Sequence, residues 1–257
     1  YIGRNAEEGF LALLIAQEAA NKVAFLHDAL RVKLEAEGAS TPSGYYFPHR
    51  VEVDFDGDEP KRYDVEDRSS VLFDQTSLLW GLSEFYGLMA NAPQAELFGD
   101  GKLISGDFKR MTGELIALLL DNLEALHWNA AHQTFYEVRA LDGAADAPKA
   151  QAISTEQIAL TAIALESVWN NLDDVAARER AKTLLLRQVA FMRQHLFRQE
   201  DGAILNGASL TEDGVTPLRG LKTLAAHAGA ARAFLIAFRL TGDPAYLTAA
   251  KRAFETL

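Results

Sequence analysis

The chain has no cysteine in its 257 residues. That excludes disulfides, thiolate zinc sites and cysteine nucleophiles. It has no unbroken run of 18 apolar residues, so a reading by runs predicts no membrane-spanning helix. The opening residues, Tyr1-Ile2-Gly3-Arg4-Asn5, include no initiating Met and lack the charged-then-apolar order of a signal peptide. Basic residues are in deficit. A net charge of −11 argues against nucleic acid or an anionic membrane surface as the main partner. The His-Glu-x-x-His, Gly-x-Gly-x-x-Gly, P-loop and Gly-x-Ser-x-Gly patterns are all missing. No zincin, nucleotide-loop or serine-hydrolase chemistry is therefore expected, and neither metal nor cofactor.

What is present is apolar periodicity. Hydrophobic residues make up 49% of the chain, enough for a sizeable core, and no low-complexity linker divides it. Residues 5–37 read as one helix, with Phe10, Leu13, Leu14, Ala20, Val23 and Leu30 at helical steps and Gly38 and Pro42 as its stop. Further helices are predicted over residues 70–90, 105–127, 155–171, 174–197 and 219–241. A seventh begins after the turn Gly242-Asp243-Pro244. Ser105, Asp107, Ser154, Thr155, Asp173 and Asp174 stand where helix N-termini need caps or negative charge.

Helix, helix and short strand recur roughly every 70 to 80 residues. Trp128 is followed seven residues later by Phe135, and Phe197 seven residues later by Ile204, each pair closing a long apolar helix. Gly44-Tyr45-Tyr46-Phe47 fits the same strand position. Units of this size stack, because one helix pair cannot bury its apolar faces alone. The chain starts and stops within helix pairs, so the natural protein is expected to extend past both termini and to expose apolar helix faces at its ends. Residues 49–66 alternate polar and apolar around Asp56-Gly57-Asp58-Glu59-Pro60 and read as a β-hairpin, taken as the one segment without a counterpart in the other repeats. The acidic run 54–59 lacks the glycine and the closing glutamate of an EF-hand loop and reads as a solvated turn.

Antiparallel helix pairs separated by short strands resemble the α/α-toroid, or six-hairpin glycosidase-like, superfamily. Leu240-Thr241-Gly242-Asp243-Pro244-Ala245-Tyr246-Leu247 is similar to the turn common between helices of such pairs. The group includes glucoamylase-like glycosidases, unsaturated glucuronyl hydrolases, polysaccharide lyases and sugar 2-epimerases. The resemblance implies an all-α array of helical hairpins with short β-strands and one β-hairpin, forming a single domain that is part of a larger toroid. It also implies a saccharide or other small-molecule ligand near the N-termini of the inner helices, here the second, fourth and sixth.

Aligned on their apolar patterns, those helices place Asp74, Glu156 and His227 at matching positions, with Gln75 and Gln157 beside the two acids. Converging acids and imidazoles suit glycosidic chemistry, in which one carboxyl protonates the leaving oxygen and another activates water or stabilises charge. An acid in a first helical turn serves equally to offset the macrodipole. His227, among Ala225, Ala226, Ala228 and Gly229, fits a close helix contact as well as a site. Trp80 offers an aromatic face for a sugar, or a core residue. Tyr45, Tyr46 and Arg50, just before the hairpin, are candidate ligand-binding residues, as are Gln75 and Gln157.

Two functions stand open on this reading. One is a carbohydrate-active domain, for saccharide hydrolysis, lysis, epimerisation or binding, with Asp74 and Glu156 as acid and base and with His227 and Trp80 positioning the sugar. The other is a non-catalytic helical-repeat domain of a larger bacterial envelope protein, binding another protein or a small ligand. An alanine-rich, arginine-over-lysine composition without cysteine leans toward a bacterial source and toward the periplasm or envelope over the cytoplasm.

Overall fold

The computed structural model describes residues 6–35, 40–57, 59–91, 93–141, 150–218, 220 and 223–256. Helix α1 (Ala6–Phe25) runs on through a π-helical turn, Leu26–Leu30. Arg31 then adopts extended backbone, and β1 (Val32–Lys33) pairs antiparallel with β2 (Tyr45–Tyr46). The helix expected over 5–37 thus stops at Leu30. Pairing of Val32 with Tyr46, which buries the tyrosine beside Leu126 and Leu141, overrides helical continuation. Gly38, its expected stop, lies outside the described residues, as does Asp58 of the acidic run.

Strands β3 (Arg50–Asp56) and β4 (Glu59–Asp67) form the predicted hairpin, with Val51 opposite Val65 and Val53 opposite Tyr63. Gly57 turns it at φ +64°, a conformation that costs glycine little. The Tyr63 ring stands 5.5 Å from that of Phe25 and docks the hairpin on α1. Strand β5 (Ser70–Val71) leads into α2 (Leu72–Asn91). Helix α3 (Phe108–Asn122) ends in a second π-helical turn, Leu123–His127. Asp107 sits at its N-cap position without a capping bond; its carboxylate holds Arg110 instead, at 2.8 Å.

Strands β6 (Trp128–Asn129) and β7 (Thr134–Phe135) pair Trp128 with Phe135, their rings edge-on at 5.1 Å. Phe197 and Ile204 form the equivalent bridge one unit later. The seven-residue spacings read from the sequence are thus cross-strand contacts that close each helix pair. Strand β8 (Val138–Arg139) pairs with β5, and β9 (Ala150–Ser154) enters α4 (Thr155–Asn171). Ser154 caps α4 through the Gln157 N–H, and Asp174 caps α5 (Val175–His195) through Ala176 and Ala177. Strands β10 (Gly207–Thr211) and β11 (Gly214–Pro217) form a second hairpin, which adds to β9 in the order β11-β10-β9. This corrects the expectation that the first hairpin has no counterpart. Helix α6 (Leu224–Thr241) is capped by Thr223, so it begins later than expected. Gly242 leaves it in the left-handed region, and Asp243 with Pro244 starts α7 (Pro244–Glu255).

Helix α2 packs on α4 and α4 on α6, while α3, α5 and α7 each back their inner partner. One continuous core joins Leu79, Leu119, Ile158, Leu165, Val189 and Phe234 across these layers. The α4–α6 contact is close where Gly229 of α6 faces Ala159 of α4. At the other end of the array, Ala16 and Ala20 of α1 pack beside Ile104. Phe10, Leu11, Leu14 and Ile15 on the same helix are exposed. The stretch Gly9–Leu30 is long and apolar enough to cross a membrane by length and composition, although Gln17, Glu18, Asn21 and Lys22 break its apolar run.

Candidate functional site

The inner helices present one shared face. On α2, Asp74, Ser77, Gly81 and Glu84 recur at helical spacing and so line up along it. Ser77, Gly81 and Glu84, with Trp80, form one wall of a groove of about 560 Å³; Asp74, a turn earlier, lies outside it. Glu166 and Ser167 of α4 make its floor, and Arg232 and Arg239 of α6 its far side. Trp80 is 41% exposed. Ser167 donates its hydroxyl to Glu84 at 2.7 Å. Glu166 is buried and receives both guanidiniums, Arg232 at 3.2 Å and Arg239 closer still. A buried carboxylate needs such partners to offset its desolvation, so the triad ties α6 to α4 in one register.

A second cavity, of about 440 Å³, lies between the end of α1, strand β3 and the start of α2. Phe25, Leu30, Phe47, Val51, Val53 and Leu78 give it apolar walls. His49 and Asp74 also line it, with His49 Nδ1 2.7 Å from Asp74 Oδ2. The His49 backbone N–H is anchored on the Ser69 carbonyl at 2.9 Å. An aspartate on Nδ1 holds the proton there and leaves Nε2 as the basic nitrogen. Among the described residues, no protein group bonds that nitrogen. Ser77 lines this cavity and the groove alike, so the two adjoin across it.

Glu156 faces elsewhere. It lines a third cavity with Phe73, Glu137 and Leu160, and accepts the Thr223 hydroxyl at 2.9 Å. The two acids singled out by the repeat therefore border different cavities, because each is drawn to a different neighbour. His227 is buried, with Nδ1 on the Thr223 carbonyl at 3.1 Å and Nε2 accepting from the Ile204 N–H at 3.1 Å. Both nitrogens are spent on backbone, and its place is structural. Gln75 is fully buried, donating to the Phe47 carbonyl and accepting from Asn122. Gln157 is buried and donates to Thr76 and Thr161, so the paired glutamines stitch α2 to its neighbours. Tyr46 is buried with its hydroxyl on the Arg68 carbonyl. Tyr45 lies under Arg31 at 5.2 Å, and Arg50 pairs with Glu66. None of these last three lines the cavities described here; His49, Val51 and Val53 represent that segment instead.

Glu84, Glu166, Arg232 and Arg239 were not picked out from the sequence. Arg232 and Arg239 stand seven residues apart on an otherwise apolar helix, a spacing that marks one polar face. Another titratable group is fully enclosed: His127 donates from Nδ1 to the Tyr136 carbonyl and accepts from Ser70 on Nε2. Burial holds its pKa down to about 4. Among the described residues, no group of three His, Asp or Glu side chains is placed to hold a metal ion.

No protein-family model and no curated protein matches the sequence. Solved structures match the fold. A D-mannose isomerase is 18% identical with a TM-score of 0.55, over 98% of this chain and 51% of its own. The cellobiose 2-epimerase of Spirochaeta thermophila is 16% identical with a TM-score of 0.53, over 93% and 53%. A possible GH105-family member from Salmonella enterica is 14% identical with a TM-score of 0.58, over 95% and 56%. The chain spans about half the length of each of these structures. It shares with them an α/α-toroid-like array of helical hairpins.

Proposed function

We propose that this chain is a carbohydrate-active domain that binds a saccharide in the inner-face groove and transfers a proton to or from it through His49. The observation that carries the reading is the groove itself. An exposed Trp80 face lies beside Glu84, Ser167, Arg232 and Arg239, a combination that stacks on a sugar ring and bonds its hydroxyls. The kinship of fold with an isomerase and a 2-epimerase supports the same reading.

Proton transfer is favoured over two-carboxylate hydrolysis because Asp74 and Glu156 line separate cavities, whereas hydrolysis needs two carboxyls flanking one bond. In the proposed step, His49 Nε2 takes the proton from the carbon next to the sugar carbonyl. The C–H electrons pass into an enediolate. Asp74 stabilises the imidazolium, which returns the proton to the same carbon, or to the neighbouring carbon once a proton has passed from the one enediolate hydroxyl to the other oxygen. The test is exchange of the C2 proton of reducing hexoses and disaccharides in D2O, followed by NMR. His49→Ala is expected to slow exchange by about 100-fold or more. Absence of both binding and exchange across the panel would refute the proposal.

A second reading rests on α1. Exposed Phe10, Leu11, Leu14 and Ile15 form an apolar strip suited to another chain, as an interaction domain would need. Light scattering of the wild type against a Phe10→Glu, Ile15→Glu double variant tests it; a monomer in both cases removes it.

A further inference from the structure

The cavity beside the groove is of the wrong chemistry for a sugar. Most of its wall, Phe25, Leu30, Phe47, Val51, Val53 and Leu78, is apolar and gives the hydroxyls of a pyranose no partner. Its volume of about 440 Å³ is that of a ligand pocket rather than a packing gap. Its polar side chains, His49, Asp74 and Ser77, include the one residue it shares with the polar groove. A ligand filling both spaces is polar at one end and apolar at the other, with the junction at Ser77.

We propose that the substrate is an acylated saccharide. Its sugar occupies the groove lined by Trp80 and Arg232, and its acyl chain occupies the cavity between α1 and β3. This rests on the saccharide reading of the groove. The acyl group sits on a hydroxyl away from the reducing carbon, so the carbonyl that proton transfer requires stays free. Strand β3 supplies Val51 and Val53 from one side of a hairpin whose other residues in this strand are exposed. The hairpin is thus the wall that makes the second space apolar.

The test is calorimetric titration of the whole chain with 6-O-acetyl and 6-O-octanoyl esters of D-glucose and D-mannose, below their micelle concentrations, with free octanoate as the tail alone. The octanoyl esters are expected to bind about tenfold or more tightly than the acetyl esters, because several methylenes leave water. In Val53→Asp, checked for folding by circular dichroism, the advantage is expected to fall below about threefold. Equal binding of acetyl and octanoyl esters overturns this inference and leaves the saccharide reading standing. Octanoate binding as well as the octanoyl sugars, with no binding of acetyl esters or free sugars, overturns both. An octanoyl advantage unchanged in Val53→Asp places the chain elsewhere and overturns the cavity assignment.

Discussion

His49 Nδ1 lies 2.7 Å from Asp74 Oδ2, joining the loop before the first hairpin to the first turn of α2. The contact gives Asp74 a task other than offsetting the helix dipole, and it gives His49 a fixed tautomer. Asp74→Asn keeps the shape and removes the charge that would stabilise an imidazolium. Proton exchange on reducing sugars is expected to fall by about 100-fold, with thermal melting shifted by only a few degrees. Loss of melting in parallel with exchange would mark the pair as structural.

His127 predicts the acid limb of stability. Its folded pKa, near 4, is below the ordinary 6.5, so the neutral ring is the folded form. Above about pH 6.5 the contribution is fully present. As pH falls toward 4 the unfolded chain takes up a proton that the folded chain refuses, and on the order of 3 kcal/mol is lost. Urea unfolding between pH 7 and 4 is expected to show this slope, and His127→Gln to flatten it.

His227 is expected to matter for folding and not for chemistry. His227→Leu strips the Ile204 N–H of its acceptor in a buried place. The cost is about 1–3 kcal/mol in chemical denaturation, with saccharide affinity per folded molecule unchanged. Lost affinity in a fully folded sample would return this histidine to the site.

Gly229→Ala tests the closeness of α4 and α6. Alanine gains about 1 kcal/mol of helix propensity over glycine. The new Cβ would stand 2.8 Å from the Ala159 Cβ, which is fixed to the α4 backbone and cannot swing aside. Overpacking of about 1–3 kcal/mol outweighs the gain, so a net loss of roughly 1 kcal/mol is expected in urea unfolding. A stabilised variant would mean that the two helices are free to part.

Deleting residues 51–65 and rejoining the chain removes most of a hairpin whose first strand buries no residue fully. Helix content and melting temperature are expected to stay nearly unchanged, while binding weakens because one wall of the apolar cavity is gone. Circular dichroism and titration of the same sample separate the two effects. Global unfolding would assign the hairpin to the scaffold.

The existence of the seven helices, the caps at Ser154 and Asp174 and the first hairpin were legible in the sequence, because each depends on groups a few residues apart. Ser154 and Asp174 bond N–H groups two or three positions away, and Gly242-Asp243-Pro244 ends one helix and starts the next through its own dihedrals. The seven-residue pairs Trp128/Phe135 and Phe197/Ile204 were local too, since the strands they link are joined by tight turns. The second hairpin is local but masked by Gly207, Gly214 and Pro217, which read as loop, while its third strand β9 comes from some 55 residues upstream, a pairing that spacing does not reveal. The fate of the first-turn acids was likewise decided at a distance. Asp74 turns to His49 and Glu156 to Thr223, while Glu166, silent in the sequence, gathers Arg232 and Arg239. Helical period says which residues share a face of one helix. Which faces meet depends on how deeply and at what rotation neighbouring helices pack, and here small residues such as Gly229 against Ala159 set that depth.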